Sequence, residues 1–293
     1  MKLCIKNDRL TVGISELGAE LALITDKGGT QYLWQGDSAY WARRAPNLFP
    51  YIGRLTDKSY IHNGKVFQMD SHGFASRQLF EVERQSDSAV TWLLTDNPQT
   101  RAMYPFAFAL RVMYTLDGTQ LTIRYGVENR GGETMYFGLG GHPGFHVPLE
   151  KGLRFEDYAL RFDKACTPIR IGLSDTCFCT GEDTPYPLDK GCMLPLRHEL
   201  FDRDAILLKN MARGMTLFSP SGRKTVRVTF PQMRYLGLWQ RPHTDAPFLC
   251  IEPWTSLPSR HGVVEVLSQQ ENLIALPAKE SYDNTWAIEF PEA

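Results

Sequence analysis

Two runs of alternating hydrophobicity that meet at a tight turn constrain this chain more than any other feature of it. Phe106, Phe108, Leu110, Val112, Tyr114 and Leu116 fall on one face of an extended segment. Asp117-Gly118 follows, and then Leu121, Ile123, Tyr125 and Val127 alternate with Thr122, Arg124, Gly126 and Glu128. A period of two is the signature of a strand with one buried face, and Asp-Gly favours the tight turn of a hairpin. Shorter segments of similar character recur at 21–25, 79–83, 89–94, 225–230 and 248–251, with Pro253 expected to end the last strand. Asn63-Gly64 is a second turn, between 58–61 and 65–69. The helical candidates are short, at 38–44 and around 198–202. The 18 prolines and 24 glycines are spread throughout, so the chain reads as many short strands joined by turns, an all-β sandwich or barrel. No linker, repeat or low-complexity stretch divides it, and a single unit over 1–293 is expected.

Charge and cysteine content narrow the function classes. The net charge of −1 offers no electrostatic case for a nucleic-acid or anionic-membrane partner. No uncharged apolar run approaches the roughly 18 residues of a membrane span, and the N-terminal residues lack the apolar core of a signal peptide. Cys4, Cys166, Cys177, Cys179, Cys192 and Cys250 are scattered, with no Cys-x-x-Cys half-site for zinc. These features suit a soluble, reduced, cytoplasmic protein with a small-molecule partner.

Three stretches are more specific than structure alone demands: 47–54 with 70–75, 136–145, and 236–240 with 247–254. In the last, alternation puts Phe248, Cys250 and Glu252 on one face and Leu249 and Ile251 on the other. A carboxylate on a strand buried on both faces is desolvated, which raises its pKa and makes it a better proton acceptor. The structural alternative is a Glu252 paired with Arg54 or Arg241. His142 follows Gly140-Gly141 and precedes Pro143, so its backbone is extended and close approach to the preceding main chain is possible. Such a histidine is either a metal-free proton donor or a hydrogen-bonded strand-end residue. His72, in His-Gly-Phe, carries the same pair of readings. Trp239, Trp254, Phe74 and Phe145 are candidates for a sugar-stacking wall, or for core. His142 and His146 are four apart, but on an extended segment that spacing does not share a face, so no metal site is expected.

Taken together, these stretches make the chain resemble the aldose 1-epimerase (galactose mutarotase-like) family, in particular its LacX-like and hexose-6-phosphate-mutarotase-like branches. The likeness also includes Gly18-Ala-Glu-Leu, Tyr32-Leu-Trp-Gln-Gly-Asp, Tyr104-Pro-Phe and Asp204-Ala-Ile-Leu-Leu, and so covers nearly the whole chain. The resemblance implies a β-supersandwich of large, mostly antiparallel sheets, with a sugar in a cleft over one of them. It implies that Glu252 is the general base on the C1 hydroxyl and His142 the general acid on the ring oxygen, while Arg54, His72 and Asp204 contact the sugar. No metal or organic cofactor is implied, and the protein would act as a monomer or homodimer.

One departure bears on the substrate. In many relatives an arginine directly follows His-Gly-Phe-Ala, and in the phosphate-using branch it helps hold the phosphate. Here Ser76 stands there and Arg77 comes one later. In a strand, a slip of one residue turns the side chain to the opposite face, which points to a free hexose. The alternatives are a hexose 6-phosphate substrate, a non-catalytic sugar-binding protein on the same fold, and a cupin-like metal enzyme using His72, His142 and His146.

Overall fold

The computed structural model describes residues 2–291; Met1, Glu292 and Ala293, at the ends of the expected unit, lie outside the described residues. Strands account for 44% of the structure and helix for about 8%, which places it in the all-β class. The largest sheet has nine strands and contains the hairpin: Phe108–Asp117 pairs with Gln120–Asn129, Asp117 opposite Gln120. The two-residue loop is therefore Gly118-Thr119, one position later than expected, with Gly118 at φ +54°. The second hairpin, Ser59–His62 with Lys65–Gln68, turns on Asn63 and Gly64, both at positive φ.

Alternation decides which face of the large sheet is buried. Leu110, Val112, Tyr114, Leu121, Ile123 and Tyr125 are inaccessible or nearly so. On the opposite face Arg111 pairs with Glu83 and Glu128, and Arg124 with Asp283. The apolar face lies against an eight-stranded sheet that carries the cleft described below. Two tyrosines stitch the layers together. Tyr114 donates its hydroxyl to the Ala19 carbonyl at 2.7 Å, and Tyr125 to Asn47 Oδ1 at 2.8 Å. Asn47 in turn donates to the Gly18 and Ala19 carbonyls, both at 3.0 Å. Its amide thereby satisfies buried groups where the Asn47–Leu48 strand enters the second sheet.

Several elements differ from expectation. Phe248–Trp254 is buried at every position, as a central strand should be, but it runs through Pro253 instead of ending there. Its neighbour pairs at Gly140–Trp254 and again at Gly144–Cys250, with no pairing between, so on that side no ladder bond is asked of Pro253. The 38–44 segment is a turn, closed by the Tyr40 and Trp41 amides on the Asp37 carbonyl, and not a helix. A 3₁₀ turn does form at His198–Phe201. The α-helix Pro98–Met103 was not anticipated; Asn97 caps it, with Thr100 completing a capping box. The strand placed at 79–83 is Glu81–Gln85, because Leu79 bridges to Leu17 before the sheet begins. All six cysteines are free thiols, and among the described residues no helix is long and apolar enough to cross a membrane.

Candidate active site

A cleft of about 380 Å³ opens over the eight-stranded sheet. Its floor is the strand Phe248–Trp254, whose even-numbered residues point one way and whose Leu249 and Ile251 enter the main core. Glu252 is 2% exposed and sits opposite Gly237 in the adjoining strand Tyr235–Trp239. From the other side comes the irregular Gly140–His146 segment. Neither glycine leaves room for a side chain: a Cβ on Gly140 would stand 2.8 Å from the Pro253 carbonyl oxygen, and one on Gly141 would stand 2.6 Å from the Trp286 ring. That close approach lets the His142 amide reach the Pro46 carbonyl at 3.1 Å. It also brings His142 Nε2 within 3.2 Å of Glu252 Oε2.

The pair is almost dry. The alternative partners for Glu252 are absent from it: Arg54 donates to the Thr176 carbonyl, and Arg241 to that of Tyr40. Glu252 Oε2 and His142 Nδ1 are buried without an aligned hydrogen bond. Burial, and then the nearby Asp204 carboxylate, push the Glu252 carboxyl well above its usual range. Burial, and then His72, push His142 well below the usual histidine value. Both shifts favour uncharged forms. A protonated Glu252 beside a neutral His142 holds as many protons as the carboxylate–imidazolium pair, and one short transfer interconverts the two.

The other expected site residues converge here too. His72 has φ +62°, and its Nδ1 accepts from the Gly53 amide at 3.2 Å, leaving its proton on Nε2. Burial, followed by the fields of Arg54, Arg77 and Arg43, lowers its pKa to about 4. Asp204, at φ +65°, accepts from the Ala205 amide on one oxygen and from the Cys177 thiol, at 3.2 Å, on the other. Burial, then the Asp204 charge, raises that thiol to about 12 and keeps it a donor. Arg54 and Trp239 line the cleft, as does Trp254. Phe74 and Phe145, the other two candidates for an aromatic wall, are core residues, 1% and 0% exposed.

Arg77 corrects the strand argument. Ala75–Arg77 is a 3₁₀ turn, not a strand, so the period-two rule does not apply, and Ser76 and Arg77 both border the cleft. Arg77 donates to the Gly73 carbonyl and lies 3.6 Å from Asp70. His146 does not join the site; its ring packs edge-on against Trp34, and it is absent from the cleft lining.

The sequence reading missed Trp41 and Arg43. Trp41 stacks on the His142 ring at 4.8 Å and 23°, and meets Trp239 edge-on. Arg43 pairs with Glu20 at 2.8 Å and donates to the Ser76 carbonyl. The available signal was Glu20: its other oxygen accepts from the Arg44 and Ala45 amides, so the Gly18-Ala-Glu motif anchors the turn that carries Trp41.

Comparison with known proteins agrees with this architecture. Residues 1–266 match the sequence model of the aldose 1-epimerase family. The plasmid-encoded protein LacX of Lactococcus lactis subsp. lactis is 34% identical over 299 positions, covering 97% of this chain and 99% of its own. A galactose mutarotase related enzyme from Lactobacillus acidophilus superposes with a TM-score of 0.95 at 31% identity, over 100% of this chain and 98% of its own. A galactose mutarotase-like protein from Lactobacillus casei does so with a TM-score of 0.93 at 32% identity, over 99% and 100%.

Proposed function

Because the chain belongs to the aldose 1-epimerase family, we propose that it is a mutarotase that interconverts the α and β anomers of a hexose. The observation that carries this reading is the placement of His142 Nε2 3.2 Å from Glu252 Oε2 at the base of a cleft. The cleft lies near the small end of ligand pockets, which run to about 300–1,000 Å³. That size suits a monosaccharide better than a polymer.

Ring opening needs a base at the C1 hydroxyl and an acid at the ring oxygen. In the carboxylate–imidazolium form of the pair, Glu252 takes the C1 hydroxyl proton while His142 protonates the ring oxygen. The C1–O5 bond breaks, and its electron pair remains on O5 as the C1 carbonyl forms. Rotation about C1–C2 presents the other face of the aldehyde. Reclosure returns the proton from Glu252 to the new C1 hydroxyl, and His142 recovers its own from the attacking hydroxyl. Sugar hydroxyls in the cleft stabilise the charged form of the pair. Arg54, the Nε2–H of His72, and Asp204 hold the hydroxyls, and Trp239 supplies an apolar wall.

A second reading, a hexose 6-phosphate substrate, is favoured by Arg43, Arg54, Arg77 and Arg241 at the cleft, against Asp204 and Glu252. Arg43 and Arg77 also face Glu20 and Asp70, while Arg54 and Arg241 donate to main-chain carbonyls, and such a guanidinium-rich rim suits an anionic substituent. Polarimetry of freshly dissolved α-D-glucose and α-D-galactose, and of their 6-phosphates, in the presence of chelator, separates the readings. Faster decay with the free sugars supports the first reading, and acceleration only of the phosphates supports the second. Sugar binding without acceleration of any of them would indicate a non-catalytic binding protein on this fold.

A further inference from the structure

We infer that His142, Cys250 and Glu252 form a zinc-type site, at which a thiophilic divalent cation binds in competition with the sugar. The nitrogen, sulfur and oxygen of these three side chains all lie within 4.8 Å of one another, and the residues are buried. No second such group occurs among the described residues.

The strand explains the placement. Cys250 and Glu252 are two apart in Phe248–Trp254, so they share one face of the strand, Glu252 lining the cleft and Cys250 fully buried beside it, and His142 approaches from the unpaired stretch between Gly140 and Gly144. Zinc bonds of about 2.0–2.3 Å imply ligand-to-ligand edges of roughly 3.3–3.6 Å in a tetrahedron. The His142–Glu252 separation of 3.2 Å already matches such an edge. Glu252 Oε2 is buried with no aligned hydrogen bond, so it has an unused lone pair to offer. A mixed N, S and O set of three ligands suits zinc or cobalt better than magnesium or calcium.

Binding displaces the Cys250 thiol proton to solvent, along with any proton on Glu252, and no redox change is involved. If the acid and base are those proposed above, both are then occupied as ligands, and the loaded protein cannot open the ring. The cation is thus an inhibitor. That consequence rests on the proposed mutarotase reading, whereas the site itself does not.

The test is titration of chelator-stripped, dialysed protein with Co²⁺, followed by optical absorption. One equivalent should give a thiolate-to-cobalt charge-transfer band in the wild type and in Cys177→Ala, and none in Cys250→Ala. In parallel, Zn²⁺ should slow mutarotation at least tenfold, reversibly by chelator and less at saturating sugar, with an inhibition constant at least tenfold weaker in Cys250→Ala. X-ray absorption of the Zn²⁺-loaded wild type requires no variant, and should show one sulfur at about 2.3 Å with nitrogen or oxygen neighbours at about 2.0 Å. A sulfur-free shell, or a cobalt–thiolate band that survives in folded Cys250→Ala, would overturn the site. If the protein proves not to be a mutarotase, the two spectroscopic readouts still decide the question.

Discussion

Replacing Gly140 by alanine tests whether the close approach of two strands sets the geometry of the proposed acid–base pair. Gly140 is held from both sides, opposite Leu48 and opposite Trp254. A Cβ there would meet Trp254 Cδ1 at 2.7 Å and the Pro253 carbonyl oxygen at 2.8 Å. Carbon and a carbonyl oxygen ordinarily approach no closer than about 3.3 Å, so the strands must part by about 0.5 Å. Neither can yield freely, because Trp254 is 4% exposed and Leu48 1%. Overpacking of this kind costs about 1–3 kcal/mol. At about 2–4 °C per kcal/mol for a large domain, the melting temperature falls by roughly 2–12 °C. Pro253 directly follows Glu252, so the same displacement separates Glu252 from His142. Misplacement by about 1 Å can cost on the order of a hundredfold, and half that distance should reduce the mutarotation rate by roughly tenfold. Gly132→Ala is the control, since nothing lies within 4 Å of its added Cβ. It should match the wild type in stability within about 1 kcal/mol, and match it in rate. Thermal unfolding and polarimetry on both variants provide the readout. A Gly140→Ala protein with wild-type melting temperature and rate would refute the reasoning.

Other perturbations probe separate links. Asn47→Ala removes the acceptor for Tyr125 and the donor for two buried carbonyls. It should cost about 2–4 kcal/mol in urea unfolding. Trp41→Ala removes the stack on His142, worth about 0.5–1.5 kcal/mol, and should slow catalysis by roughly two- to tenfold and lower the melting temperature by roughly 1–6 °C. Asp26 carries a pH-dependent term. Burial alone would raise its pKa, but Lys224, the Thr30 amide and the Tyr32 hydroxyl together bring it from 3.8 down to about 2. A carboxyl depressed by folding stabilises above its unfolded pKa and loses that contribution as pH falls through the folded value. Asp26→Asn should therefore be less stable than wild type by about 1–2 kcal/mol at pH 7, after solvent screening, with the gap closing between about pH 4 and pH 2. A gap independent of pH would exclude the ion pair as its source.

The sequence made the hairpin and the buried strand legible because in both a single period of two governs every side chain. The roles of Phe108 and Ile123 follow from local pattern alone. Pro253 was misread as a terminus because tolerance of proline depends on what the neighbouring chain asks of it, and here the Gly140–Gly144 irregularity asks for no bond. Arg77 was read as turned away because a strand was assumed where a 3₁₀ turn lies. Trp41 was not seen at all: its stack on His142 depends on a non-local anchor, Glu20 holding the Arg44 and Ala45 amides, which leaves no periodic trace. Glu252 and His142 stood out as chemically unusual, but their 3.2 Å approach joins residues more than a hundred positions apart and needed the fold.

The most direct test of the account compares wild type with Glu252→Gln and His142→Asn by polarimetry of α-D-glucose and α-D-galactose, in the presence of chelator, on protein matched by circular dichroism and melting curve. The account predicts accelerated decay to the equilibrium rotation in wild type, with loss of the acceleration in both folded variants. Wild-type rates in either folded variant would contradict the assignment of these two residues as the base and the acid.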